Sequence, residues 1–138
     1  MHILRTAPVW QNAGLRVFDQ AVRGGPSKIT NVEMTDTVWN QASLPTCMGS
    51  LGTRRTEDIA HPAFMASLSS VGTLIQQILP SLDMENYLTP LIKVWSHKTS
   101  AAAPELRQRG FQKAWDKPIA QVIANYVTSQ LDDIGKAR

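Results

Sequence analysis

Helical periodicity repeated along 138 residues predicts an all-α protein, an irregular helical bundle of about six or seven helices. Three observations carry that prediction. Apolar residues recur at helical spacing in segment after segment, most regularly at Ile119, Val122, Ile123, Tyr126 and Val127. The one run with a period of two, Ile29 to Met34, is too short to argue for a sheet. Hydrophobic residues make up 43% of the chain and charged residues 18%, below the usual level of about 25%, so the composition favours a packed chain over a disordered one.

The first element is one or two turns carrying Ile3, Leu4 and Ala7, stopped by Pro8. A second helix is expected from about Asn12 to Arg23. Leu15, Phe18 and Val22 share a face there, and Gly24-Gly25-Pro26 should end it. Asn31 or Thr35 can cap a third helix through Ala42, with Val38, Trp39 and Ala42 inward. A loop from Leu44 to Arg55 follows, and its glycines permit positive φ. Thr56 can cap a turn through Ile59, with Glu57 and Asp58 favourable to the helix dipole.

Pro62 is expected in the first turn of a separate helix bearing Phe64, Leu68, Val71 and Ile75 on one face. Gly72 is a break point, and Pro80 follows the helix end. Pro90 disfavours helix before it, which places the next start near Thr89. Thr99 to Ala103 has the weakest pattern and reads as a loop. A helix from Pro104 to Trp115 and a last one from Lys117 or Pro118 to about Leu131 complete the chain, with a tail expected to fray. Phe18, Trp39, Leu68, Ile75, Ile123 and Tyr126 are the expected core.

The length suits one domain or a piece of a larger one. A single cysteine, Cys47, leaves no internal disulfide framework and suits a reducing compartment. No signal-peptide pattern opens the chain, and no stretch approaches the roughly 20 apolar residues of a membrane span. The expectation is an intracellular protein of cytoplasm or nucleus, with no membrane partner.

Four motifs occur in a suggestive order. His2-Ile3-Leu4-Arg5-Thr6-Ala7-Pro8 comes first. Trp39-Asn40-Gln41-Ala42-Ser43-Leu44-Pro45 leads into the glycine loop Gly49-Ser50-Leu51-Gly52-Thr53-Arg54-Arg55. Asp58-Ile59-Ala60 then precedes Ala63-Phe64-Met65-Ala66-Ser67, and Gln112 to Pro118 contains Trp115-Asp116. Together they resemble the thumb and post-thumb region of reverse transcriptases of non-LTR retrotransposons. That resemblance divides the chain into thumb-like helices over 1–43, a glycine-containing loop over 44–55 and a post-thumb region over 56–138. Two departures stand in the loop: Ser50 replaces a glycine of the family pattern and Thr53 an aliphatic residue.

The family's polymerase site is absent. Two Mg²⁺ ions require a set of aspartates around the primer end, and the candidate pair, Asp132-Asp133, falls at the end of a helix rather than between strands. The chain is therefore expected to be no enzyme, with no catalytic residues. No metal site or cofactor is expected either, because His2, His61 and His97 lie far apart and Cys47 lacks a CxxC partner. Gly49 to Gly52 lacks the Lys-Ser/Thr end of a phosphate loop.

Charge placement supplies the remaining candidate. The chain carries +3 overall, but residues 93–117 hold six basic side chains against Glu105 and Asp116. Arg109, Lys113 and Lys117 recur at i, i+4 and i+8, a stripe that can follow phosphates, and Arg54 and Arg55 can add two contacts. The expected partner is an RNA–DNA or DNA duplex bound without regard to sequence. The resemblance points the same way, since thumb helices of that family lie along the template–primer duplex. The competing expectation is a structural or protein-interaction domain, or a retroelement relic without a role.

Overall fold

The computed structural model describes residues 2–104 and 111–136. About three quarters of the described residues are helical, and no strand occurs among them. The helices are α1 (His2–Thr6), α2 (Ala13–Thr30), α3 (Asp36–Ala42), α4 (Thr56–Ile78), α5 (Met84–Thr99) and α6 (Phe111–Lys136), with a 3₁₀ turn at Thr46–Met48. The all-α bundle expected from periodicity is what forms.

The chain divides into two compact units, each built from separated segments. The first comprises Met1–Val9 and Ala60–Ile119 and buries Leu4, Phe64, Met65, Met84, Trp95, Trp115 and Ile119. Its centre is an edge-to-face pair, Trp95 on Trp115, with ring centroids 4.9 Å apart. The Trp95 indole N–H donates to the Trp115 carbonyl at 3.1 Å. Two fully buried aromatic bodies with a satisfied indole donor lock α5 onto the start of α6. The second unit comprises Trp10–Ile59 and Ala120–Arg138 and buries Met34, Trp39, Ala42, Leu44, Ile59 and Val127.

Helix boundaries depart from the local signals at every interior proline. Pro26, Pro62, Pro90 and Pro118 all lie inside helices, where a missing N–H and a ring clash ordinarily cost about 3 kcal/mol. Helix α2 runs past Gly24-Gly25-Pro26 to Thr30, because tertiary bonds hold it on both sides. Arg23 donates to the Met34 carbonyl and to Asp36, and the Ser27 hydroxyl donates to the Val32 carbonyl at 2.9 Å. Asn31 then closes α2 in the left-handed region at φ 52°, so Thr35 alone caps α3, accepting from the Val38 N–H.

Pro62 sits in one continuous α4 and is fully buried, within the wholly buried run Asp58 to Ala66. Burial all round the first half of α4 replaces the single apolar face expected there. Only Phe64 of that face is buried, Leu68 and Ile75 are half-buried and Val71 is exposed. Gly72 does not break the helix.

Helix α5 begins at Met84, five residues before Thr89, because the Asp83 side chain accepts from the Asn86 N–H at 3.0 Å. Helix α6 is continuous from Phe111 through Pro118 to Lys136, which merges the last two expected helices and orders part of the tail expected to fray. Residues 105–110, the first part of the helix expected over Pro104 to Trp115, lie outside the described residues, and Phe111 to Trp115 form the start of α6.

The core also differs from expectation. Trp39 is buried and Ile123 half-buried, but Phe18 and Tyr126 are exposed. On α2 the inward face is Leu15, Asp19, Val22, Arg23 and Pro26, and Phe18 stands about 100° away from Asp19. Val127, not Tyr126, faces inward on α6.

Candidate nucleic-acid interface

The glycine loop is tightly tied. Gly49 and Gly52 adopt φ of 76° and 72°, and a Cβ at Gly52 would stand 2.9 Å from the Thr46 Cγ2. The Gly52 and Thr53 N–H groups return to the Leu44 and Ala42 carbonyls at 3.1 and 3.2 Å, and the Ser50 hydroxyl donates to the Gln41 carbonyl. The loop delivers Arg54 and Arg55 to the start of α4.

Arg55 is not presented outward. Its guanidinium donates to Asp58 at 2.5 Å and to the Asn40 side-chain oxygen at 2.6 Å. Burial works against its charge. The hydrogen bond and charge of Asp58, with Glu57 and Asp19 beyond, outweigh that burial and raise its pKa above the ordinary arginine value. Arg55 thus belongs to an internal network. Arg54 beside it is half-buried.

The hub of that network is Asp19, a residue the sequence did not mark as functional. It is 4% exposed. One carboxylate oxygen accepts from the Thr56 N–H and hydroxyl, both at 2.8 Å, and the other accepts from the Glu57 N–H at 3.1 Å. Thr56 is therefore capped from α2 rather than acting as the cap. A carboxylate suits this position because it accepts from orphan N–H groups and faces the positive end of the helix dipole. The available signal was an acid one helical turn from the apolar residues Leu15 and Val22. Arg16–Glu57 at 3.3 Å and Arg23–Asp36 at 2.7 Å are further ion pairs in this unit.

The two units differ sharply in charge. By sequence, the second contains seven basic and seven acidic side chains, whereas the first contains seven basic and four acidic, the whole of the +3 surplus. In the first unit Arg5, Lys93, Lys98, Lys113 and Lys117 are all exposed. Lys113 and Lys117 lie two residues before and after Trp115. At about 100° per residue both therefore fall about 160° around α6 from that buried ring. Lys93 and His97 bear the same relation to Trp95 on α5. Lys93, Lys113 and Lys117 thus lie on the outward sides of two helices. Arg109, the third member of the expected stripe, lies outside the described residues.

No cluster of three or more His, Cys, Asp or Glu able to hold a metal occurs among the described residues. The side chains of Asp132 and Asp133 lie outside them. No helix among the described residues is long and apolar enough to cross a membrane. Comparison with protein-family models, curated proteins and solved structures finds no match to this chain.

Proposed function

We propose that this chain is a non-catalytic, retroelement-type helical domain that contacts the backbone of an RNA–DNA or DNA duplex through the outward face of α6. The observation that supports this most directly is the pair Lys113 and Lys117. Both are exposed on one helix face, in the unit that holds all the surplus charge. Cations so placed neutralise phosphates and release counterions, which gives sequence-independent and strongly salt-dependent binding. The shared order of motifs from Leu4-Arg5-Thr6 to Trp115-Asp116 supports derivation from the thumb and post-thumb region of a non-LTR reverse transcriptase.

Fluorescence anisotropy of a labelled hybrid duplex, titrated at two salt concentrations, tests the proposal. Affinity is expected to fall steeply with salt. The double variant Lys113→Gln/Lys117→Gln should flatten the slope by about one unit per lost phosphate contact. Absence of binding at low salt, or an unchanged slope in the variant, rejects it.

A second reading has its own support. The outer face of α2 exposes Val17 at 71%, Phe18 at 56% and Ile29 at 86%. Such a face favours a protein-interaction domain, which takes precedence if the duplex does not bind.

A further inference from the structure

We infer that Arg5, Ser67 and Gln112 form a pocket for a single phosphate group. The site follows from side-chain size along α4. Ala63, Ala66, Ser67 and Ser70 recur at i, i+3, i+4 and i+7, so one helix face carries only small side chains. That face forms the floor of a cavity of about 240 Å³, and Arg5 from α1 and Gln112 from α6 line it as well. Ala63 and Ala66 are buried, while Arg5 and Ser70 are exposed and Ser67 and Gln112 half-buried, so the cavity opens to solvent. All of these residues belong to the basic unit.

The chemistry of the lining points to an oxyanion. It contains one guanidinium, two hydroxyls and one carboxamide, and no carboxylate among the described residues. Arg16, Arg23 and Arg55 each pair with an acid. Arg5 instead donates to a neutral acceptor, the Gln112 side-chain oxygen, at 2.6 Å. That bond orients the guanidinium without neutralising it and leaves the Gln112 amide nitrogen as a donor. The Ser67 hydroxyl makes no hydrogen bond among the described residues, and the Ser70 hydroxyl donates to the Ser67 carbonyl at 2.7 Å. A planar guanidinium fork, an amide N–H and a hydroxyl among the residues lining one cavity suit a tetrahedral group with several acceptor oxygens.

Two sources share this chemistry: a backbone phosphodiester of a nucleic acid, and a free phosphate or small phosphorylated compound. The first source rests on the function proposed above, because Gln112 immediately precedes Lys113 on α6.

Nuclear magnetic resonance of the full ¹⁵N-labelled chain separates them. In one arm, inorganic phosphate replaces chloride at constant ionic strength. The Arg5 Nε–H and Gln112 amide signals should shift saturably. Arg5→Gln should weaken binding about tenfold or more, read at Gln112, and Arg5→Lys should weaken it less, because a point charge lacks the fork. Ser67→Ala, which removes only a hydroxyl, should also weaken binding and guards against a folding defect at Arg5. No saturable shift, or equal shifts in wild type, Arg5→Gln and Ser67→Ala, overturns the pocket. In the second arm, a duplex replaces phosphate at low salt. Duplex-induced shifts at Gln112 assign the pocket to a backbone phosphate. Shifts with inorganic phosphate but no duplex binding keep the pocket and reject the duplex function. Duplex binding that is sensitive to Lys113 and Lys117, with Gln112 unmoved by either ligand, rejects the pocket alone.

Discussion

Two buried polar side chains, His61 and Asp19, each carry a prediction at the scale of the residue. His61 is 6% exposed, and burial, reinforced by the Lys98 ammonium, lowers its pKa to about 4 from the ordinary 6.5. The folded state therefore binds fewer protons than the unfolded state between those values, so stability is full above about pH 6.5 and falls as pH drops towards 4. The loss across the whole window is about 3 kcal/mol, of which about 2 kcal/mol appears between pH 7 and pH 5. Urea unfolding at those two pH values measures it, and His61→Gln should shrink the difference by that amount. Asp19 holds three charge-assisted bonds to the start of α4. Asp19→Ala should cost about 2–3 kcal/mol in the same assay, more than an ordinary exposed cap. An effect no larger than that of the exposed Glu33→Ala would show that the cap contributes little.

At the level of the element, the helices override their own punctuation where partners hold them. Gly24 and Gly25 lie inside α2 with nothing within 4 Å of an added Cβ. Gly24→Ala and Gly25→Ala should therefore each raise stability by about 0.5–1 kcal/mol, since helix propensity alone decides there. Gly52→Ala should do the reverse, because its positive φ and the 2.9 Å approach to Thr46 leave no room for a Cβ. Thermal unfolding of the three variants, in opposite directions, checks the contrast. On α6 the inward position is Ile119, 1% exposed, rather than the half-buried Ile123. Ile119→Ala should cost about 2–5 kcal/mol, the range for emptying a large aliphatic site. Ile123→Ala should cost less.

For the whole molecule, the division of charge separates structural cations from available ones. Arg55 and Lys117 are both cations of the expected interface, yet only Lys117 is exposed. Arg55→Gln should lower stability, because it removes the ion pair with the buried Asp58. It should leave the salt slope of duplex binding unchanged, whereas Lys117→Gln should do the opposite. A slope change in Arg55→Gln without loss of stability would place the interface at the glycine loop.

The all-α class was legible in the sequence because periodicity is a local property, repeated in many segments and robust to error in any one of them. The two positive-φ glycines of the loop and the Thr35 cap were legible for the same reason, as each answers to its immediate neighbours. The exposed lysines of α6 followed from charge spacing. Tertiary structure alone decided the rest. Gly24-Gly25-Pro26 stops a helix only when nothing outside it compensates, and here Arg23 reaches Met34 and Asp36. Asp19 and Thr56 are 37 residues apart, so no local rule connects that cap. Arg55 reads in the sequence as an available cation, yet the Asp58 and Asn40 side chains hold it in an internal network. Backbone preferences near 1 kcal/mol set local structure only until packing and long-range hydrogen bonds of several kcal/mol compete with them.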